Sequence, residues 1–274
     1  MKKCILLLLL PISIHPLQKI VLTEPVVPTR LFTVPSAEVM HSFDIILTGQ
    51  SSLDVHDQKL FSTFVIGLGD IAEVEVGYDG MLSGLKTGKI VSIPASMYKL
   101  RILNENGKAV IPVKSAFDCA MMVRKSFWSS HYENGILYNS RYGKLFLTIS
   151  KRLQNLFFIF GLLYMDVRVK YNGSNEISKS IKSFYTGMEL LINKRTRFIA
   201  EVSPTLEAQY SPTMTSKDIS NVWSFITGVR WSPFNAVALD AAVKIDSDRP
   251  YPGDFIMWLG INLAIPIHKI YRSK

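Results

Sequence analysis

Two cysteines in 274 residues cannot staple a disulfide framework, and charged residues make up only 19% of the chain, below the roughly 25% usual for soluble domains. No stretch reaches the roughly 18 consecutive apolar residues of a membrane-spanning helix. The 16 glycines follow no G-X-Y period. No Gly-x-Gly-x-x-Gly opens a helix, no P-loop occurs, and no Cys/His cluster has metal-ligand spacing. These absences exclude the knottin, collagen and helical-membrane classes and leave no sequence basis for a cofactor. No Pro/Gly/Ser-rich linker divides the chain beyond its N-terminus, so one domain is expected. What the chain does have is apolar material, 48% of its residues.

The first residues read Met1, Lys2, Lys3, Cys4, then an apolar run from Ile5 to Leu10. A short basic end before an apolar stretch of that length fits a secretory signal over 1–20 and is too short to cross a bilayer as a permanent helix. A periplasmic segment is expected over 21–36, with the folded domain over 37–274. Cleavage near residue 20 removes Lys2, Lys3 and Lys19 from 31 bases set against 22 acids, leaving a net charge of about +6. Cys119 then becomes the only cysteine, and a lone thiol in an oxidising compartment is expected to be buried or to face lipid.

Period-two alternation recurs almost to the C-terminus, and helical spacing is scarce. In one segment Val237, Leu239, Ala241, Val243 and Ile245 oppose Ala238, Asp240, Ala242, Lys244 and Asp246; in another, Phe198, Ala200 and Val202 oppose Arg197, Glu201 and Ser203. A third sets Ile159, Leu163, Met165, Val167 and Val169 against Tyr164, Asp166, Arg168 and Lys170. Twelve strands are predicted, over 39–48, 59–68, 71–82, 96–105, 115–124, 143–152, 157–170, 183–193, 197–210, 221–232, 236–246 and 256–267. Tight links alternate with longer ones, the tight set falling at Leu68–Asp70, Asn104–Gly107, Leu153–Leu156, Lys194–Thr196 and Pro233–Asn235. An even number of such strands, with short turns on one rim and longer loops on the other, predicts an all-β, antiparallel, up-and-down transmembrane β-barrel.

In hydrocarbon every unpaired backbone group is costly, so strands survive there only in a closed ring. The apolar faces would then meet lipid, with Phe184, Phe198, Tyr210, Trp223 and Trp231 at the two interfaces. Strand parity puts eleven acids and ten bases on the inner face, a density of charge that a wet lumen tolerates and a dry sandwich core does not. The expected lumen-lining set is Glu73, Glu75, Lys99, Arg101, Asp118, Asp166, Arg168, Glu189, Glu201, Arg230, Asp240 and Lys244. This near balance argues against a strongly anion-selective pore. The positive excess falls elsewhere, at Lys86, Lys89, Lys125, Arg141, Lys179 and Lys182, where phosphates of lipopolysaccharide or an anionic polysaccharide would be met.

Three segments carry a family likeness: Pro28-Thr29-Arg30, the hairpin from Val65 to Asp70 continuing into Glu73–Tyr78, and the strand from Lys144 to Leu153. Through them the chain resembles the small, mostly uncharacterised bacterial outer-membrane β-barrel proteins, over most of its length from about residue 30. A fainter similarity, through the Ser-Lys-Arg-Leu strand end and the Gly-Asp hairpin, is to barrels associated with exopolysaccharide secretion. The resemblance implies outer-membrane location and contact with outer-membrane lipid, lipopolysaccharide and the barrel-assembly machinery. Such barrels usually end on an aromatic residue, whereas this chain ends Tyr271-Arg272-Ser273-Lys274.

Candidate chemistry is sparse. His41 and Ser42 are adjacent on a predicted strand and so point to opposite faces. His56 sits between Asp54 and Asp57 in a loop, and His131 follows Ser129 and Ser130 with no orienting partner at defined spacing. Bases are matched by acids within the strands and no nucleic-acid reader motif occurs. The expected function is non-enzymatic: a narrow pore, or a structural or secretion-linked envelope component. The competing readings are a barrel hydrolase acting at the outer rim and a soluble secreted carbohydrate-binding β-sandwich.

Overall fold

The computed structural model describes residues 25, 28–53, 58–83, 90–133, 135–171, 175–208, 210, 213–248 and 255–267. The proposed signal sequence, His56, Lys86, Lys89 and the Tyr271–Lys274 end lie outside the described residues. Thirteen strands follow in chain order: β1 (Ile45–Leu53), β2 (Gln58–Leu68), β3 (Ala72–Ser83), β4 (Ile90–Leu103), β5 (Asp118–Ser126), β6 (Ser129–Glu133), β7 (Ile136–Leu153), β8 (Leu156–Tyr171), β9 (Asn175–Asn193), β10 (Thr196–Ala208), β11 (Ile219–Phe234), β12 (Val237–Asp246) and β13 (Ile256–Ile265).

Twelve of these close into one antiparallel barrel. Each pairs with its neighbours in sequence, β13 returns to β1 through Ile45↔Ile265, and β5 pairs with β7 from Asp118↔Ser150 to Lys125↔Gly143. The short β6 resumes beyond a break at Phe127–Trp128 and pairs with the far end of β7, so β5 and β6 together form one stave. Closure leaves no free sheet edge.

The turns after β2, β7, β9 and β11 are tight, and this rim also carries the end of β13. The link after β4 is not the short turn expected at Asn104–Gly107; it runs over 104–117 and includes a bridge between Asn104 and Lys114. On the opposite rim the links after β1 and β8 span only 54–57 and 172–174, because β1 runs on to Leu53 and β9 already begins at Asn175, well before its predicted start. The first strand starts at Ile45 rather than 39. Residues 40–44 instead turn, with Phe43 at a left-handed φ of 62°, and their backbone is tied to the β2–β3 turn by Phe43 N–H to Gly67 O (2.9 Å) and Ser42 N–H to Asp70 Oδ1 (2.9 Å).

The outer surface is apolar around the ring. Leu47, Phe64, Val76, Tyr98, Met121, Leu147, Leu162, Phe184, Phe225, Leu239 and Leu259 are all exposed, on eleven of the twelve staves, and on β10 Phe198, Ala200 and Val202 are half-buried. Cys119 shares this outward face, opposite Ile149. Phe184, Trp223 and Trp231 point outward as expected, and Phe184 and Trp223 pack 5.3 Å apart. Tyr210 does not. It is buried, because the ends of β10 and β11 bend across the mouth and lay Leu206, Ala208, Tyr210, Met214 and Ile219 on the inner walls of β7 and β8, in one cluster with Tyr138, Val167 and Val169. Tyr210 Oη bonds Ser140 Oγ (2.9 Å), Tyr171 Oη donates to Met214 O (2.9 Å), and Lys179 Nζ donates to Ile219 O.

That packing reverses one assignment. In β8, Ile159, Leu163, Met165, Val167 and Val169 face inward, and Tyr164, Asp166, Arg168 and Lys170 face out. Both faces of β8 are apolar over its first half, with Phe158, Phe160 and Leu162 outside, so alternation alone could not say which one met lipid.

Candidate functional site: a strap inside the barrel

The chain before β1 enters the ring. From Pro28 onward, the segment expected in the periplasm lies among inward side chains of β3, β4, β10 and β11, with Leu31, Phe32, Val34 and Ala37 each at most 2% exposed. It has no regular strand or helix, so its amide groups need partners from the wall. Acids and bases of the wall provide them.

Glu201 on β10 is the main anchor. Its carboxylate accepts the backbone N–H groups of Phe32 (3.0 Å), Thr33 (2.9 Å) and Val34 (3.3 Å), and the Thr33 hydroxyl (2.5 Å). Three successive N–H groups converging on one carboxylate satisfy both the irregular backbone and the buried charge. On β11, Arg230 donates to the carbonyls of Arg30 (3.1 Å) and Leu31 (2.8 Å) and pairs in two-pronged fashion with Asp240 on β12, which also accepts from Asn262 (3.0 Å). Beneath Leu31 the wall is Gly187, where a Cβ would lie 2.4 Å from Leu31 Cδ1.

The other side of the ring holds the strap by its ends. Glu73 pairs with Lys99 (2.6 Å), both fully buried, and accepts from Thr29 Oγ1 (2.8 Å) and Met40 N–H (3.2 Å); Lys99 Nζ donates to Thr29 O and Glu38 O (3.0 Å each). Glu75 binds Arg30 of the strap (3.3 Å) and Arg124 of β5 (2.9 Å).

Six of the twelve expected lumen residues therefore converge on one object: Glu73, Glu75, Lys99, Glu201, Arg230 and Asp240. The rest do not. Glu189 pairs with Arg197 (2.5 Å) and, through Arg152 (3.7 Å), shares a cation with Glu38 of the strap, while Lys244 pairs with Asp246 (2.7 Å); neither bonds the strap directly. Arg101 reaches Asp70 O (3.3 Å), and Asp118 accepts from Asn104 (2.9 Å) and Glu105 N–H (3.0 Å), at the turn rim. Asp166 and Arg168 pair with each other at 2.9 Å on the outside of the barrel. The strap residues that complete the site, Thr29, Arg30 and Thr33, escaped the sequence reading although Pro28-Thr29-Arg30 had stood out. The signal that could have found them is a run of hydroxyl and basic residues, without period-two alternation, just before the first strand.

Space around the strap is small. A cavity of about 20 Å³, room for about one water, lies between Pro28, Thr29, Met40, Glu73 and Lys99. A second, of about 150 Å³, lies between the strap and the loop rim, lined by Arg30, Phe32, Gln50, Arg124, Lys144 and Lys244. Among the described residues no group of three or more His, Cys, Asp or Glu could hold a metal ion. His41 bonds Asp70 (3.2 Å) at the turn rim, and His131 lies in β6 opposite Tyr138.

A closed antiparallel ring, apolar outside and lined within by charges, defines the class to which the molecule belongs in shape. No family model matches the chain, and no curated protein matches its sequence. Solved structures are similar to it in fold. The translocator domain of the autotransporter NalP from Neisseria meningitidis aligns over 81% of this chain and 87% of its own, at 9% identity and a TM-score of 0.48. The NanC porin aligns over 80% and 98%, at 10% identity and 0.47. The outer membrane protein Omp33 of Acinetobacter baumannii aligns over 81% and 98%, at 7% identity and 0.44.

Proposed function

We propose that the chain is a non-enzymatic outer-membrane β-barrel, a narrow pore held closed at rest by its own strap. The membrane part rests on the distribution of side chains. A continuous exposed apolar surface around a ring is far larger than the few hundred Å² that soluble monomers tolerate, whereas a bilayer requires it. The turn rim faces the periplasm and the loop rim faces outward.

The observation that carries the closed-pore reading is the grip of Glu201 on residues 32–34. A carboxylate at the lumen wall that binds three consecutive amides holds the strap across the lumen. The strap is held by charges and hydrogen bonds and by the burial of Leu31, Phe32, Val34 and Ala37, so displacing it exchanges those bonds for bonds to water and uncovers apolar surface.

Planar-bilayer recording tests this. The full chain is expected to be silent or nearly so, and Glu201→Ala, or removal of residues 28–38, is expected to give stepwise currents. Silence in both variants, with the barrel intact on a heat-modifiability gel, would sink the pore in favour of a structural or secretion-linked barrel. His131→Ala is expected to leave the currents and the envelope phenotype unchanged.

A further inference from the structure

We propose that the outer wall of β5, β7 and β8 carries a binding site for the phosphorylated headgroup of a membrane lipid. The inference rests on the outer-membrane reading above and concerns a different face of the molecule from the strap.

The wall changes character within one stave. On β7 the outward residues run Ile149, Leu147, Leu145, then Gly143 and Arg141; on β8 they run Phe158, Phe160, Leu162, Tyr164, then Asp166, Arg168 and Lys170. Apolar side chains thus give way to ionic ones at the level of Gly143, which pairs with Lys125 on one side and Asp166 on the other. Lacking a side chain, Gly143 leaves a groove of about 480 Å³ lined by Val123, Lys125, Arg141, Leu145, Tyr164 and Arg168; a Cβ at position 143 would meet no atom within 4 Å.

Charge around the groove is unbalanced. Lys125, Arg141, Arg168, Lys170 and, from β9, Lys182 face the same side, against the acids Asp166 and Glu176. Arg168 spans both acids (2.9 and 3.6 Å), and Lys170 reaches Glu176 (3.3 Å). Arg141 lies over the ring of Trp128 at 4.4 Å, which holds its guanidinium at the groove's edge. Basic side chains directly above a greasy floor match a molecule whose phosphate sits one step above its acyl chains. A free phosphate would use the bases and ignore the floor.

The test uses the full chain in nonionic detergent, titrated with a bis-phosphorylated glucosamine lipid, its dephosphorylated form and inorganic phosphate, and read by native mass spectrometry. The phosphorylated lipid is expected to remain bound. Lys125→Gln with Arg141→Gln, and separately Gly143→Phe, which fills the groove, should each weaken it at least about tenfold, the loss expected for two charge-assisted contacts. Lys108→Gln with Lys114→Gln at the turn rim should not. Unchanged binding in both groove variants, folded by the heat-modifiability gel, overturns the site, as does equal binding of the dephosphorylated lipid or displacement by equimolar phosphate. A parent chain that needs no detergent and shows no heat shift overturns the membrane reading instead.

Discussion

Arg230 and Asp240 meet across β11 and β12 through two parallel bonds, Nε to Oδ1 at 2.7 Å and Nη2 to Oδ2 at 3.0 Å, with both side chains at most 1% exposed. The fork fixes the guanidinium plane, and its remaining N–H groups are aimed at the carbonyls of Arg30 and Leu31. The pairing of β11 with β12 and the placement of the strap are thus joined at one residue.

Removing one partner of a buried ion pair costs about 3–5 kcal/mol, because the other charge is left uncompensated. Arg230→Gln is therefore expected to lower the urea midpoint of the micelle-embedded barrel and to expose residues 28–40 to protease. Asp240→Asn leaves the Arg230 charge uncompensated and is expected to lower the midpoint comparably, but it keeps the bonds from Arg230 to the strap carbonyls and should expose residues 28–40 less. Equal urea and protease profiles for Arg230→Gln and the parent would refute the link.

Gly161 on β8 lies under the ring of Tyr185, whose hydroxyl bonds Thr148; a Cβ at position 161 would sit 2.2 Å from Tyr185 Cζ. Gly161→Ala is expected to destabilise the barrel by about 1–3 kcal/mol through overpacking. In a Tyr185→Leu background the same change should cost little, so the double-mutant cycle should show strong coupling. Additive effects would mean that the ring does not rest on the glycine.

The bend of β10 and β11 across the mouth depends in part on the bond between Tyr210 and Ser140. Tyr210→Phe removes it at a cost of about 0.5–1.5 kcal/mol. Amide exchange is expected to quicken over residues 206–219 and to stay unchanged at the turn-rim halves of β8 and β9. Uniform quickening throughout would point to global destabilisation rather than release of the hairpin end.

Asp70, in the turn after β2, titrates below the usual carboxylate value of 3.8. Partial burial, the largest single influence, pushes it up, but the Ser42 amide, the His41 imidazole and the charge of Lys108 in sum pull it below. A depressed carboxyl contributes its stability above the unfolded pKa and loses it as pH falls through the folded one. Asp70→Asn should therefore be less stable than the parent at neutral pH, and the gap should close below about pH 4. A gap of constant size down to pH 2 would assign the effect to something other than ionisation.

Most of the strand plan was legible because a stave with one face in lipid and one in a charged lumen must alternate, and β12 shows it plainly: Leu239 and Ala241 out, Asp240 and Ala242 in. β8 shows where that reasoning ends. Its inner face had to be apolar to receive Leu206 and Ala208, a contact made by residues about forty positions later in the chain, so neither face carried a mark and the assignment came out reversed. Asp166 and Arg168 were placed in the lumen for the same reason.

The sequence by itself determined the barrel architecture, the number of staves, the facing of most of them and the presence of acids and bases on the inner wall, because these follow from local periodicity and from the cost of unpaired backbone and charge. Only the tertiary structure decided what those charges hold. Glu201 and Phe32 are separated by most of the chain, and nothing in the alternation of β10 distinguishes a carboxylate that meets water from one that binds a backbone segment. That difference arises when the ring closes, because closure turns side chains from separate strands toward one space and lets residues 28–40 fill it.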